Sequence, residues 1–186
     1  MDSKRKSSFI TLKEIAVFAL LGTVMFVSKM LMEFLPNIHL LGVLTVTYTA
    51  VYRTKALLPI YVYVFLNGLI AGFNMWWMPY LYIWTVLWGA TMLVPRNLSK
   101  KVTYIIYAVL CVLHGLSFGL LYAPCQALFF GLDFRQTVAW VVAGFPFDVT
   151  HAIGNGVLSI LIMPMVSALK RIKSGKRSSV RGTLFL

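Results

Sequence analysis

The chain has 186 residues, of which 60% are apolar and only 12% charged, with a mean hydropathy of +0.83. A water-soluble domain runs at about 45–50% apolar and about 25% charged, so this composition belongs in a bilayer. Abundant aromatic residues, glycine without a period and only two cysteines exclude disorder, a collagen-like chain and a disulfide scaffold. The formal charge of +12 sits in short gaps between apolar runs and at both ends, the pattern of cytoplasmic loops rather than of a nucleic-acid-binding face.

A span of hydrocarbon needs about 20 helical residues. The first apolar segment runs from Leu12 to about Phe34 and stops at Pro36-Asn37. It follows Lys4, Arg5 and Lys6 and continues past Met30 without a small-residue cleavage site, so it reads as a retained helix. A short second segment, Leu40 to Tyr52, is followed at once by Arg53-Thr54-Lys55. The alternation of Thr45, Thr47 and Thr49 resembles a strand, but an open strand in lipid leaves its backbone unpaired, so a helix is expected. The segment is too short to span in the ordinary way; it thins the bilayer locally, tilts little, or sits partly inside a bundle.

The third segment runs from Ala56 to about Gly72, with Pro59 in its first turn, where a missing N–H is tolerated. Pro79 opens the fourth, which ends at Val94-Pro95-Arg96. Val102 to Tyr122 makes the fifth, and a mixed stretch, Ala123 to Gly144, leads to Pro146 and a last helix reaching about Leu169. The expectation is an all-α integral membrane protein, a six-transmembrane-helix bundle over residues 1–169. A basic, disordered tail over 170–186 would be drawn to anionic lipid, with no nucleic-acid role.

Six crossings from a cytoplasmic N-terminus give a consistent charge map. Inside fall Lys4, Arg5, Lys6, Lys13, Arg53, Lys55, Arg96, Lys100, Lys101 and the cations from Lys170 onward; outside fall only Lys29 and Arg135. Both termini are therefore expected in the cytoplasm.

Polar residues within a membrane bundle point to function. Asp148, His151 and Asn155 follow i, i+3, i+7 and share one helix face, which can present a carboxylate, an imidazole and an amide to a bound molecule. The competing reading is structural. Asp148 would sit in the first turn after Pro146, offsetting the helix dipole, while His151 and Asn155 bond neighbouring helices.

The second cluster is aromatic. Asn74, Trp76, Trp77, Tyr80, Tyr82 and Trp84 crowd the loop between the third and fourth segments, with Trp88 one turn beyond; of the five tryptophans only Trp140 lies elsewhere. A belt at the headgroup level would spread such rings more evenly. A flat, stackable organic ligand accounts for the crowding, with Asn67 and Asn74 as orienting hydrogen-bonding groups. On the first segment Ala16, Ala19, Gly22 and Thr23 form a small-residue stripe for close helix approach, either within the bundle or to a separate membrane subunit.

Motifs for catalysis do not emerge: there is no P-loop, Gly-x-Ser-x-Gly, HExxH or Cys-x-x-Cys. No catalytic residue, cofactor or metal site is expected. His39, Asp148 and His151 have no diagnostic metal spacing, and Cys111 and Cys125 read as thiols in apolar surroundings.

Six short helices, the small-residue face and Gly144-Phe-Pro-Phe-Asp148-Val-Thr-His151-Ala-Ile-Gly154-Asn155 together resemble the substrate-binding S components of energy-coupling factor (ECF) transporters. Leu35-Pro-Asn-Ile-His39 and Asn67-Gly-Leu-Ile-Ala-Gly72 support the resemblance, which covers nearly the whole chain. It implies a multi-pass vitamin-uptake subunit of a bacterial plasma membrane that binds a micronutrient on the outer face. It further implies association with a transmembrane T component and two ABC-type ATPases, which hydrolyse the ATP. The family's Ala-x-x-x-Ala on helix one is replaced here by Ala16, Ala19, Gly22 and Thr23, and the Met-His-His of the nickel/cobalt branch is missing. A stand-alone facilitator or small secondary transporter with Asp148 and His151 as a proton relay is the main rival. A membrane enzyme or enzyme-assembly subunit is the third reading.

Overall fold

The computed structural model describes residues 10–174; Lys4, Arg5, Lys6 and the tail beyond Ser174 lie outside them. All regular structure among the described residues is helical: α1 (Leu12–Leu31), α2 (Leu41–Tyr52), α3 (Leu57–Ala71), α4 (Tyr80–Met92), α5 (Lys100–Leu116), α6 (Phe118–Phe130), α7 (Phe134–Leu158) and α8 (Ile162–Ser174). Short 3-10 turns at Arg53–Ala56 and Ser159–Leu161 join α2 to α3 and α7 to α8. Four stretches are long and apolar enough to cross a membrane: Leu12–Leu31, Leu41–Ala71, Lys100–Phe130 and Phe134–Ser174. This is the signature of a helical membrane protein. α4, with 13 residues, falls short of that length.

The outer surface fits that setting. Leu12, Leu93 and Phe134 are more than four-fifths exposed, and many other large apolar side chains face outward. In water such a surface would aggregate; in lipid it is solvated.

The short second segment forms a helix at the centre. Ten of its twelve residues are buried, as expected of a helix apolar on every side. α2 packs on α4, α5 and α8, and touches α1. Thr49 Oγ1 donates to Thr45 O at 2.6 Å, which removes its need for an external partner, whereas the Thr45 and Thr47 hydroxyls are buried without one. Tyr48 OH donates to Leu21 O at 3.2 Å and ties α2 to α1.

Helix ends explain the order of elements. Thr11 and Glu14 form a capping box that starts α1. Gly72, at φ 95, ends α3 in a conformation that favours glycine. Arg53 adopts φ 56 and stops α2 without one.

Three boundaries differ from expectation. The fifth segment continues beyond Tyr122 to Phe130, interrupted at Ser117, so part of the stretch read as mixed is helix. The last helix begins at Phe134, not Pro146, because Asp133 and Gln136 form a capping box there; Pro146 lies in its interior. Finally, residues 170–174 close α8 instead of opening a disordered tail. Lys173 Nζ donates to Val51 O at 3.0 Å and lies 5.1 Å from the centre of the Tyr52 ring, which fixes this end.

Candidate functional site

The three histidines of the chain converge. His39 lies in the loop before α2, His114 near the end of α5 and His151 in the middle of α7. The His39 and His151 rings are 4.7 Å apart, and those of His114 and His151 are 6.4 Å apart. Trp84, from α4, is 1% exposed and contacts His39, His114, Tyr63, Tyr80 and Phe118, with ring centres 5.5–6.2 Å away. Phe118, at the start of α6, closes on His151 at 4.9 Å. Five helices and one loop thus supply a single box of rings, mostly in edge-to-face and tilted contacts.

Two cavities flank this box. One of about 210 Å³ is lined by Tyr63, Tyr80, Trp84, Phe118, His39 and His151, with Lys29, Glu33 and Asn37 at its margin. The other, about 260 Å³, lies against Phe118, Gly119, Tyr122, Trp140, Asp148 and His151. Asn37, Phe118 and His151 line both and form the partition. Each is smaller than the ~300 Å³ of a typical small-molecule pocket. Asn37, at φ 57, holds the left-handed turn that brings Ile38 and His39 over the box.

Polar atoms in this region are left without partners. Among the described residues, His39 Nδ1, His114 Nδ1, His151 Nε2 and Trp84 Nε1 are buried and make no hydrogen bond. A buried orphan costs about 1–3 kcal/mol, so four around one box mark a place where a ligand or water belongs. His114 is oriented by its other nitrogen, 3.2 Å from Ile83 O. Among the described residues no group of three His, Cys, Asp or Glu side chains is placed to hold a metal ion.

Asp148 differs from the structural reading of the sequence while lining the larger of the two cavities. It lies mid-helix, so it does not offset the dipole of its own helix. Its two oxygens instead accept from Gly119 N, at 3.0 and 3.1 Å, in the first turn of α6. α6 has no side-chain cap of its own, and the carboxylate supplies one from α7. Asn155 Nδ2 donates to Cys111 O at 2.9 Å on α5, while its Oδ1 is buried without a partner. Gly115 and Gly42 make room for this seam. A Cβ at Gly115 would lie 2.8 Å from the Ala152 backbone, and one at Gly42 would lie 3.1 Å from Asn155 Oδ1.

Of the residues singled out in the sequence, Tyr80, Trp84, Asp148 and His151 line the cavities. Asn67 is buried on α3 with Nδ2 unpartnered, outside both cavities. Asn74 is exposed. Trp77 packs on Phe73 and donates to Val64 O at 2.8 Å; Trp76 packs on Tyr80 and receives Tyr122 OH at its carbonyl. These three line neither cavity. The small-residue stripe also divides: Ala16, Ala19 and Thr23 are exposed, whereas Gly22 is buried against α3, where a Cβ would lie 2.5 Å from Val62. Site members not expected as ligand residues include His39, Tyr63, His114, Phe118, Gly119, Tyr122 and Trp140. An ionisable residue inside an apolar run was the available signal for His114.

No protein-family model, curated protein or solved structure matches the chain.

Proposed function

We propose that the chain is a membrane-embedded solute-binding subunit, the S component of an ECF transporter, which takes up a vitamin or related ring-bearing micronutrient. The observation that carries the reading is the box of Trp84, Tyr80, Phe118 and three histidines with four unpartnered nitrogens. Aromatic faces suit a flat ring, and neutral imidazoles both donate and accept hydrogen bonds, so they can fix its orientation.

In this reading the helical stretches make six crossings: α1, α2, α3, α4, α5 with α6, and α7 with α8. Both termini are cytoplasmic, and the membrane is a bacterial plasma membrane. The loop carrying Asn37 and His39 is the outer cover of the pocket. A T component docks on the exposed Ala16, Ala19 and Thr23 of α1, and two ABC-type ATPases hydrolyse the ATP. The proton-relay alternative gains nothing from the geometry: Asp148 bonds Gly119, and no hydrogen bond joins it to His151.

Tryptophan fluorescence of the purified protein, titrated with a panel of vitamins, tests the reading. Saturable quenching by one compound is expected. Transport by the chain alone in vesicles, without ATP or partner subunits, would replace it with the facilitator.

A further inference from the structure

A second cavity system lies at the opposite end of the molecule, where the end of α2, the loop before α5 and α8 meet. Its volume is about 430 Å³, and its lining includes Arg53, Arg96, Lys100, Lys170 and Lys173. Among the described residues no Asp or Glu lines it. The ion pairs among the described residues, Lys29–Glu33 and Lys55–Glu14, involve none of these five cations. Like charges gathered round one cavity repel unless an anion joins them.

Two further observations mark an anion's place. Arg53 Nε is buried and makes no hydrogen bond, although Nη2 of the same side chain is held by Met92 O at 2.6 Å. The first turn of α5 borders the cavity at Lys100 and Thr103 and brings the positive end of a 17-residue helix.

The cavity does not end at the charges. Lys100, Met163, Val166 and Lys170 also line an adjoining open groove of about 620 Å³, completed by Lys101, Pro164 and Ser167. A basic chamber that leads into an apolar groove between α5 and α8 fits a molecule with an anionic head and a hydrocarbon tail.

We propose that this is a binding site for an anionic phospholipid. Its phosphate sits among Arg53, Arg96, Lys100 and Lys170, and an acyl chain lies along Met163, Pro164 and Val166. A free phosphate ion would use the chamber and leave the groove empty.

The test uses the full chain in micelles doped with phosphatidylglycerol, cardiolipin or phosphatidylcholine, with retained lipid counted by native mass spectrometry. Retention of the two anionic lipids should exceed that of phosphatidylcholine by about tenfold, since basic side chains near the membrane surface attract anionic headgroups. The K100Q/K170Q variant should lose this preference. K100R/K170R should keep it, and so should R135Q, which removes a cation from the start of α7. Millimolar inorganic phosphate should not displace the lipid. Equal retention of neutral and anionic lipid overturns the proposal, as does undiminished preference in K100Q/K170Q. Displacement by inorganic phosphate overturns the lipid in favour of a soluble anion.

Discussion

The carboxylate of Asp148, on α7, holds the backbone N–H of Gly119, on α6, through both of its oxygens. The pair joins the two helices beside the second cavity, so the helix start at Phe118 and the position of its ring depend on a side chain 29 residues away.

Replacing Asp148 with alanine should therefore act on stability first. Loss of a buried, charge-assisted bond predicts a destabilisation of about 1–3 kcal/mol, read as a lower unfolding midpoint in detergent. D148N keeps an acceptor oxygen and should lose less. An unaltered midpoint in D148A would remove the capping role.

Gly119→Ala attacks the same contact from the other side. The added Cβ would lie 2.6 Å from Asp148 Oδ2, so the single variant should also melt early. In the double variant D148A/G119A the clash is gone, and the two costs should fall short of their sum by about 0.5–3 kcal/mol. Strict additivity in thermal unfolding would show that the two residues do not interact.

Among the tryptophans, Trp84 should report ligand. It stands in the box, whereas Trp88 points to the other end and donates to Arg53 O at 3.0 Å. W84F should abolish most ligand-induced quenching and W88F should leave it intact. The reverse result would move the binding site away from the histidines.

Substituting His114 or His151 with leucine removes both ring nitrogens while keeping bulk. Each variant should weaken ligand binding by about 5- to 100-fold, the equivalent of about 1–3 kcal/mol. In H151L leucine relieves a buried orphan, so the unfolding midpoint should fall little or even rise, whereas H114L also loses the contact of Nε2 with Ile83 O and should melt earlier. Weaker binding with an unchanged midpoint separates ligand contact from a purely structural role.

The stripe on α1 should split by function. G22V should destabilise the isolated protein, because Val62 and the Pro59 carbonyl occupy the space a side chain would need. A19L should leave the isolated protein's midpoint unchanged and weaken co-purification with a partner membrane subunit. Equal melting of G22V and wild type would contradict the packing on α3.

Hydropathy made the helical class legible, and it located α1, α3 and α4 to within a few residues. It did so because apolar runs ended by Pro36-Asn37, Gly72 or Pro95 need no tertiary information. The start of α7 was misplaced because Pro146 reads as a helix opening, while Asp133 and Gln136, which form the capping box, were passed over inside a stretch of mixed polarity. A proline interior to a membrane helix is tolerated where neighbours satisfy the freed carbonyl groups, and sequence periodicity carries no record of those neighbours.

The site was partly visible. His151 and Trp84 stood out as a polar residue in an apolar helix and a member of an aromatic cluster. Trp76 and Trp77 belonged to the same cluster and yet pack on Tyr80 and Phe73. Spacing along one segment cannot tell which ring faces inward. His39 and His114 meet His151 and Trp84 only because α4, α5 and α7 converge, which is a property of the assembled bundle.

The burial of α2 has a consequence for how the protein is made. Lys173, which bonds the Val51 carbonyl, is synthesised 122 residues later. At about 5–20 residues per second, that interval is roughly 6–25 s. Throughout it the face of α2 that α8 will cover has no permanent neighbour, and the hydroxyls of Thr45 and Thr47 stand in a half-built bundle. A ribosome stalled before α8 would leave that helix open to lipid, insertases and membrane proteases. The second helix to be made thus waits for α8 to cover it.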